Sequence, residues 1–168
     1  ASLREKLGQK YGVGRDQVFV SNGSDEVLSF CFYAFFESTR GRLVFPAVTY
    51  SFYPVYCDFY QIEYEKVPMK ASLAIDCDEL IKRKESCGII FSNPNAPTGM
   101  HLPLGDIAGL LGNYPRKKVV VIDEAYIDFG GESALPLLKD FSNLLIVRTF
   151  SKSMSLAGIR LGFAMGHK

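Results

Sequence analysis

The run Val119-Val120-Val121-Ile122 is apolar at four consecutive positions and ends on Asp123. A strand that alternates apolar and polar residues can leave one face in water, but a strand apolar throughout must be covered on both faces. That requirement points to the interior of a parallel sheet with helices above and below. Similar short runs recur along the chain, and the pattern predicts strands over Gln17–Ser21, Arg42–Phe45, Ile62–Val67, Gly88–Ser92, Val119–Ile122, Leu144–Arg148 and Leu161–Met165. Helical patterns fall between them, over Asp25–Glu37, Phe52–Tyr60, Cys77–Lys84 and Leu104–Asn113, with a weaker one near Leu135–Phe141. Strand–helix alternation of this kind predicts an α/β fold: a three-layer sandwich around a mostly parallel sheet of about seven strands. With no internal repeat and no linker-like stretch, residues 1–168 read as one domain.

Composition removes several function classes. Nineteen Lys and Arg against eighteen Asp and Glu leave a net charge of +1, with no basic run to hold a nucleic acid. The longest apolar stretch, Val27–Phe36, covers ten positions, where a bilayer needs ~20. Ala1-Ser2-Leu3-Arg4-Glu5 has no apolar segment of a signal peptide. Cys31, Cys57, Cys77 and Cys87 form no C-x-x-C pair, and only His101 and His167 could join them, so no metal site is expected. Reduced, mostly buried thiols in a cytoplasmic protein fit best. The chain opens without Met in a helical pattern (Leu3, Leu7, Tyr11, closed by Gly12) and stops at His167-Lys168 just after an apolar run. Both ends are therefore expected to continue in a longer protein.

In open α/β sheets ligands sit beyond the carboxyl ends of the strands, so function is sought there. Asp123 emerges at such an end. It could be a turn cap, the acidic end of a nucleotide-binding strand with Glu124 as base, or a carboxylate facing a cationic heterocycle. The second option needs a G-x-x-x-x-G-K-[ST] loop, and the chain has none. Lys152 sits in Thr149-Phe150-Ser151-Lys152-Ser153, after another apolar run and eight residues before Arg160. A lone Lys is usually a solvated charge, but one held near other cations or partly desolvated can serve as a Schiff-base amine. Ser151 and Arg160 would supply a hydroxyl and a guanidinium fork suited to phosphate. Gly23-Ser24-Asp25 opens a helix, where Ser24 is either an N-cap, part of a backbone phosphate cradle, or both. An anion site, an amine, a carboxylate and Tyr126 on neighbouring strand ends match the needs of pyridoxal 5'-phosphate. A non-enzymatic nucleotide-binding module would leave Lys152 and Tyr126 without a task.

In their set and order, five strings resemble the large domain of the fold-type I pyridoxal-phosphate enzymes, the class I/II aminotransferases. They are Asn22-Gly23-Ser24-Asp25-Glu26, Thr49-Tyr50, Asn93-Pro94-Asn95-Ala96-Pro97-Thr98-Gly99, Asp123-Glu124-Ala125-Tyr126, and Thr149-Phe150-Ser151-Lys152 followed by Arg160-Leu161-Gly162. The resemblance implies that Lys152 binds the cofactor covalently and later moves the proton. It gives Asp123 the ring nitrogen, Tyr126 the phenolate oxygen and Tyr50 the ring face, although 22 Phe and Tyr residues make a core role for Tyr50 a rival. Thr149, Ser151, Arg160 and the amides of Gly23, Ser24 and Asp25 would hold the phosphate. The family usually has Asn before Pro-Thr-Gly to bond the phenolate oxygen; here that position is Ala96, so either Asn95 or Tyr126 alone takes the task. A cis bond at Ala96–Pro97 is also implied.

Within the family, the strings come nearest to the branch that acts on histidinol phosphate, implying amino transfer between a small-molecule donor and a 2-oxo acid. Threonine-phosphate decarboxylases and other amino-acid aminotransferases are the alternatives. The resemblance places the small domain and most specificity residues beyond Lys168. It also implies a homodimer. Val27–Phe36, with Phe30, Phe32, Tyr33, Phe35 and Phe36, points the same way, because a helix apolar all round must be covered on every side.

Overall fold

Ser2 starts the first helix, α1 (Leu3–Tyr11): its hydroxyl accepts the Glu5 N–H while the Glu5 carboxylate accepts the Ser2 N–H. Gly12, at φ 68°, closes that helix in the left-handed conformation glycine tolerates best. After one 3-10 turn the chain enters β1 (Val18–Asn22), then α2 (Ser24–Phe35), β2 (Leu43–Pro46), α3 (Phe52–Tyr60) and β3 (Tyr64–Val67). The second half follows as α4 (Cys77–Ile81), β4 (Gly88–Ser92), α5 (Leu104–Asn113), β5 (Val119–Asp123), β6 (Leu144–Thr149) and β7 (Leu161–Gly166). These assignments come from a computed structural model that describes residues 1–168.

All seven strands lie in one sheet, ordered β1-β7-β6-β5-β4-β2-β3. Strands β2 to β6 run parallel, whereas β7 is antiparallel to both neighbours, β6 and β1. The sheet is therefore mostly parallel, with its strand ends reversed at β7. Side chains alternate across it as the two-residue period requires. Val120 and Ile122, Ile89 and Phe91, and Phe163 and Met165 join α1, α4 and α5 in one core. Val121, Ile90 and Ala164 join α2 and α3 in the other. Helices on both faces give three layers.

Several boundaries differ from the pattern-based reading, each for a local reason. Gln17 belongs to the 3-10 turn Arg15–Gln17 and not to β1. Ile62 is outside β3 because its N–H closes the end of α3 on Cys57 O, with Gln61 at φ 56°. The helix begun at Cys77 stops at Ile81, where Lys82 and Arg83 turn back to pair with Glu79. The segment near Leu135–Phe141 is a 3-10 helix, Leu135–Lys139, with Pro136 in its first turn. Helix α2 buries Val27, Leu28, Cys31 and Phe32 but leaves Phe30, Tyr33 and Phe35 in solvent. The four thiols are free, with Cys31, Cys57 and Cys87 buried. No helix is long and apolar enough to cross a membrane.

Candidate active site

Because β7 runs against its neighbours, its first residues meet the carboxyl ends of β1 and β6. One cavity of about 220 Å³ opens there, lined by Ser24, Asp25, Tyr50, Asp123, Tyr126, Ser151, Lys152 and Arg160 among others. Eight side chains singled out from the sequence thus converge, from strand ends spread over more than a hundred residues.

The phosphate-like corner is built by close approach. Gly23 has φ 86°, and a Cβ there would stand 2.6 Å from Arg160 Nη2. Arg160 itself adopts φ 51°, a left-handed conformation costly for a non-glycine residue and typical of functional sites. Its guanidinium lies 3.7 Å from Asp25 Oδ2, and the first-turn amides of α2 open beside it with their dipole. Glu26 braces the turn by accepting the Asn22 N–H at 2.8 Å and the Ser21 hydroxyl. Those bonds, the Ser21 one first, hold its carboxyl below the usual range. A guanidinium, a serine hydroxyl and the first-turn amides of α2 converge here on a corner suited to an anion.

Asp123 lies at the end of β5 on the face of Val121, only 5% exposed. Its Oδ1 accepts the Ala125 N–H at 3.1 Å, and its Oδ2 accepts the Tyr53 hydroxyl at 3.3 Å. Burial raises its pKa to about 6, with those two bonds pulling the other way. Such a carboxylate suits a cationic partner, whose charge would offset the desolvation. Lys152 Nζ stands 5.2 Å from the Tyr126 ring centroid, at the mouth of the cavity. Tyr50 donates its hydroxyl to Asp25 Oδ1 at 3.3 Å and packs edge-on to Tyr53. Burial, then the charge of Asp25, pushes its pKa up to about 12.

Three of the expected residues stand outside the lining. Gly23 lets Arg160 approach, but its own N–H, expected on the phosphate, is spent on Ser21 O at 2.9 Å. Thr149 is buried and accepts the Ser151 N–H at 3.1 Å, so it shapes the loop beneath the site. Asn95 is 1% exposed and already engaged: its Nδ2 donates to Val48 O and Thr98 Oγ1, and its Oδ1 accepts from Ser92. Ala96, not Asn95, reaches the cavity. The peptide bonds Asn93–Pro94 and Ala96–Pro97 are both cis. A larger groove of about 520 Å³ opens alongside, sharing Ala96 and Tyr126 and reaching His101 and Phe129.

Glu124, adjacent to Asp123, turns to the opposite face. It is 1% exposed and pairs with Arg148 at 2.8 Å, while accepting the Ala134 N–H and the Ser133 hydroxyl. Sequence reasoning missed Tyr53, Ser92 and this Glu124–Arg148 pair. The two-residue period of β5 could have separated Glu124 from Asp123; nothing in the local sequence marks Tyr53.

The fit to pyridoxal phosphate is good: an anion corner too tight for a Cβ at Gly23, an amine, and a buried acid needing a cationic neighbour. Known proteins agree. Histidinol-phosphate aminotransferases of Syntrophus aciditrophicus and Lactococcus lactis subsp. cremoris are 58% and 51% identical to the chain over 98% of its length. The chain spans less than half the length of these relatives, 46% and 45%. Solved histidinol-phosphate aminotransferases from Clostridium acetobutylicum and Sinorhizobium meliloti, the second in complex with pyridoxal-5'-phosphate, superpose with TM-scores of 0.89 and 0.88. They cover 99% and 98% of the chain, which in turn matches 50% and 46% of theirs; at 23% and 24% identity they show the fold. The family described as aminotransferase class I and II matches residues 1–168, the same span over which the strand ends build this site, and the chain belongs to that family.

Proposed function

We propose that the chain is the cofactor-binding part of a pyridoxal-phosphate-dependent aminotransferase that moves the amino group of histidinol phosphate to 2-oxoglutarate. The observation that carries the reading is the convergence of Lys152, Asp123, Tyr126, Ser151 and Arg160 on one cavity. Relatives at 58% and 51% identity named for that reaction support the choice of substrate.

When bound, the cofactor supplies an aldehyde and an electron-withdrawing ring. Lys152 Nζ would be the amine that holds it and would also serve as the base and acid that takes up and returns a proton beside the bound amino donor. Asp123 keeps a proton on the ring nitrogen, which strengthens the pull of the ring. Tyr126 donates to the phenolate oxygen alone, since Asn95 is committed elsewhere. Arg160, Ser151 and the α2 amides hold the phosphate, and Tyr50 covers the ring face. Thr149 supports that grip through Ser151. The adjoining groove gives the donor and the 2-oxo acid their approach.

Borohydride reduction of the whole protein with cofactor present tests the assignment. Peptide mapping should find the label on Lys152 and on none of the other ten lysines of residues 1–168. A label spread over several lysines would remove the catalytic reading.

The same reading includes a homodimer in the cytoplasm. Its support is an uncovered aromatic face on α2 and α3, where Phe30, Tyr33 and Phe59 are 47%, 72% and 76% exposed. Exposed apolar groups of this size mark interaction surfaces, and closed two-fold pairs are the commonest soluble assembly. Light scattering on the whole, cofactor-loaded protein should give twice the mass of one whole subunit; a monodisperse monomer at high concentration refutes it.

A further inference from the structure

Tyr53 is fully buried, yet its hydroxyl is placed beside the one carboxylate at the bottom of the cofactor cavity. Its ring is clamped on three sides: by Phe45 at 6.0 Å, by Tyr50 edge-on at 5.6 Å and by Phe32 at 6.3 Å. An apolar pocket of that kind would accept Phe with less desolvation, so the hydroxyl has to be explained. It donates to Asp123 Oδ2 at 3.3 Å, with the Ser92 hydroxyl as its other neighbour. Ser92 is fixed in turn by the Ala96 N–H at 2.9 Å and by Asn95. Asp123 therefore has one oxygen tied to its own loop at Ala125 and the other to α3.

We propose that Tyr53 is a positioning residue that aims the Asp123 carboxylate and, by hydrogen-bonding its anionic form, keeps the proton on the cofactor's ring nitrogen. The inference rests on the reading of the cavity as a pyridoxal-phosphate site. Two bases share one proton when the carboxylate meets the ring nitrogen. A donor to the carboxylate stabilises the charged partner and leaves the proton on nitrogen, while removing the donor makes the carboxylate more basic and draws the proton to oxygen. The group acts through Asp123 and touches neither substrate nor cofactor.

The direct readout is the nitrogen chemical shift of ring-¹⁵N-labelled pyridoxal phosphate bound to the whole protein. In Tyr53→Phe the shift should move from the protonated toward the neutral pyridine value. Turnover should fall on the order of tenfold, the worth of one hydrogen bond to a charged group, with little change in KM. Replacing Tyr53 by 3-fluorotyrosine keeps the ring and offers a more acidic donor, so the shift should move the opposite way. This second variant answers the question even if Tyr53→Phe packs poorly. A parent protein that fails to bind the labelled cofactor overturns the reading of the site and the inference with it. A parent that binds, with ring-nitrogen shifts unchanged in both variants, overturns the inference alone.

Discussion

Gly162 in β7 presses directly on the peptide that joins Gly23 to Ser24, so closely that a methyl at position 162 would overlap the Ser24 amide nitrogen. The anion corner is thus a seam between the first residue pairs of β7 and the start of α2, in register as Ser21 opposite Gly162. A backbone obstacle cannot swing away as the end of a long side chain could. Gly162→Ala should therefore push β7 and α2 apart and lower cofactor affinity by at least tenfold, while the far side of the sheet keeps its packing. Equilibrium titration with pyridoxal phosphate checks this, and unchanged affinity would show that the seam does not shape the site.

Arg160 serves the same corner through charge. Hydrogen bonds to charged groups are worth ~1.5–3 kcal/mol, so Arg160→Ala should weaken pyridoxal phosphate by on the order of ten- to a hundredfold. Pyridoxal, which has no phosphate, should bind parent and variant alike. Equal losses for both ligands would remove Arg160 from the phosphate.

Glu124 and Arg148 make a different expectation testable. Their side chains are 0% and 11% exposed, and the Arg148 guanidinium also lies 4.9 Å from the Tyr11 ring centroid. Breaking a buried pair by neutralising one partner costs ~3–5 kcal/mol. Glu124→Gln should lose stability of that order in denaturant titration, while its cofactor spectrum stays that of the parent. A variant of parental stability with lost turnover would instead make Glu124 a catalytic group.

The separation of Asp123 from Glu124 shows what the sequence could and could not convey. Val119–Ile122 announced a central strand, and strand ends announced Lys152, Arg160 and Tyr126, because apolar runs and their polar caps are local signals. Direction is not local. Nothing within Leu161–Met165 says that β7 runs antiparallel, although no α-helix lies between Thr149 and Leu161 to carry a parallel crossover. Asn95 illustrates the converse: its composition suited the cofactor, but the fold committed its amide to Val48 and Thr98. Tyr53 was invisible because its meaning depends on α3 lying across the end of β5, a contact between residues seventy positions apart.

Asp123 also sets a cost on the protein without cofactor. Its pKa is raised from 3.8 to about 6, first by burial, so the folded chain holds this proton more tightly than the unfolded one. A raised acid weakens folding above its folded pKa, and the penalty fades as the pH falls toward the unfolded value. A shift of about two units corresponds to ~3 kcal/mol. Asp123→Asn removes the charge; its one carbonyl oxygen still accepts the Ala125 N–H, and its Nδ2 donates to the Tyr53 hydroxyl, which turns to accept. In the cofactor-free whole protein, the variant should therefore melt above the parent at pH 8, with the gap closing by pH 4. The loaded variant should bind pyridoxal phosphate through its phosphate contacts yet turn over far more slowly, because the ring nitrogen has lost the acid that keeps it protonated. Stability gained where activity is lost is the expected trade at a functional site. A melting difference that is constant across pH, or of opposite sign at pH 8, would refute the electrostatic account.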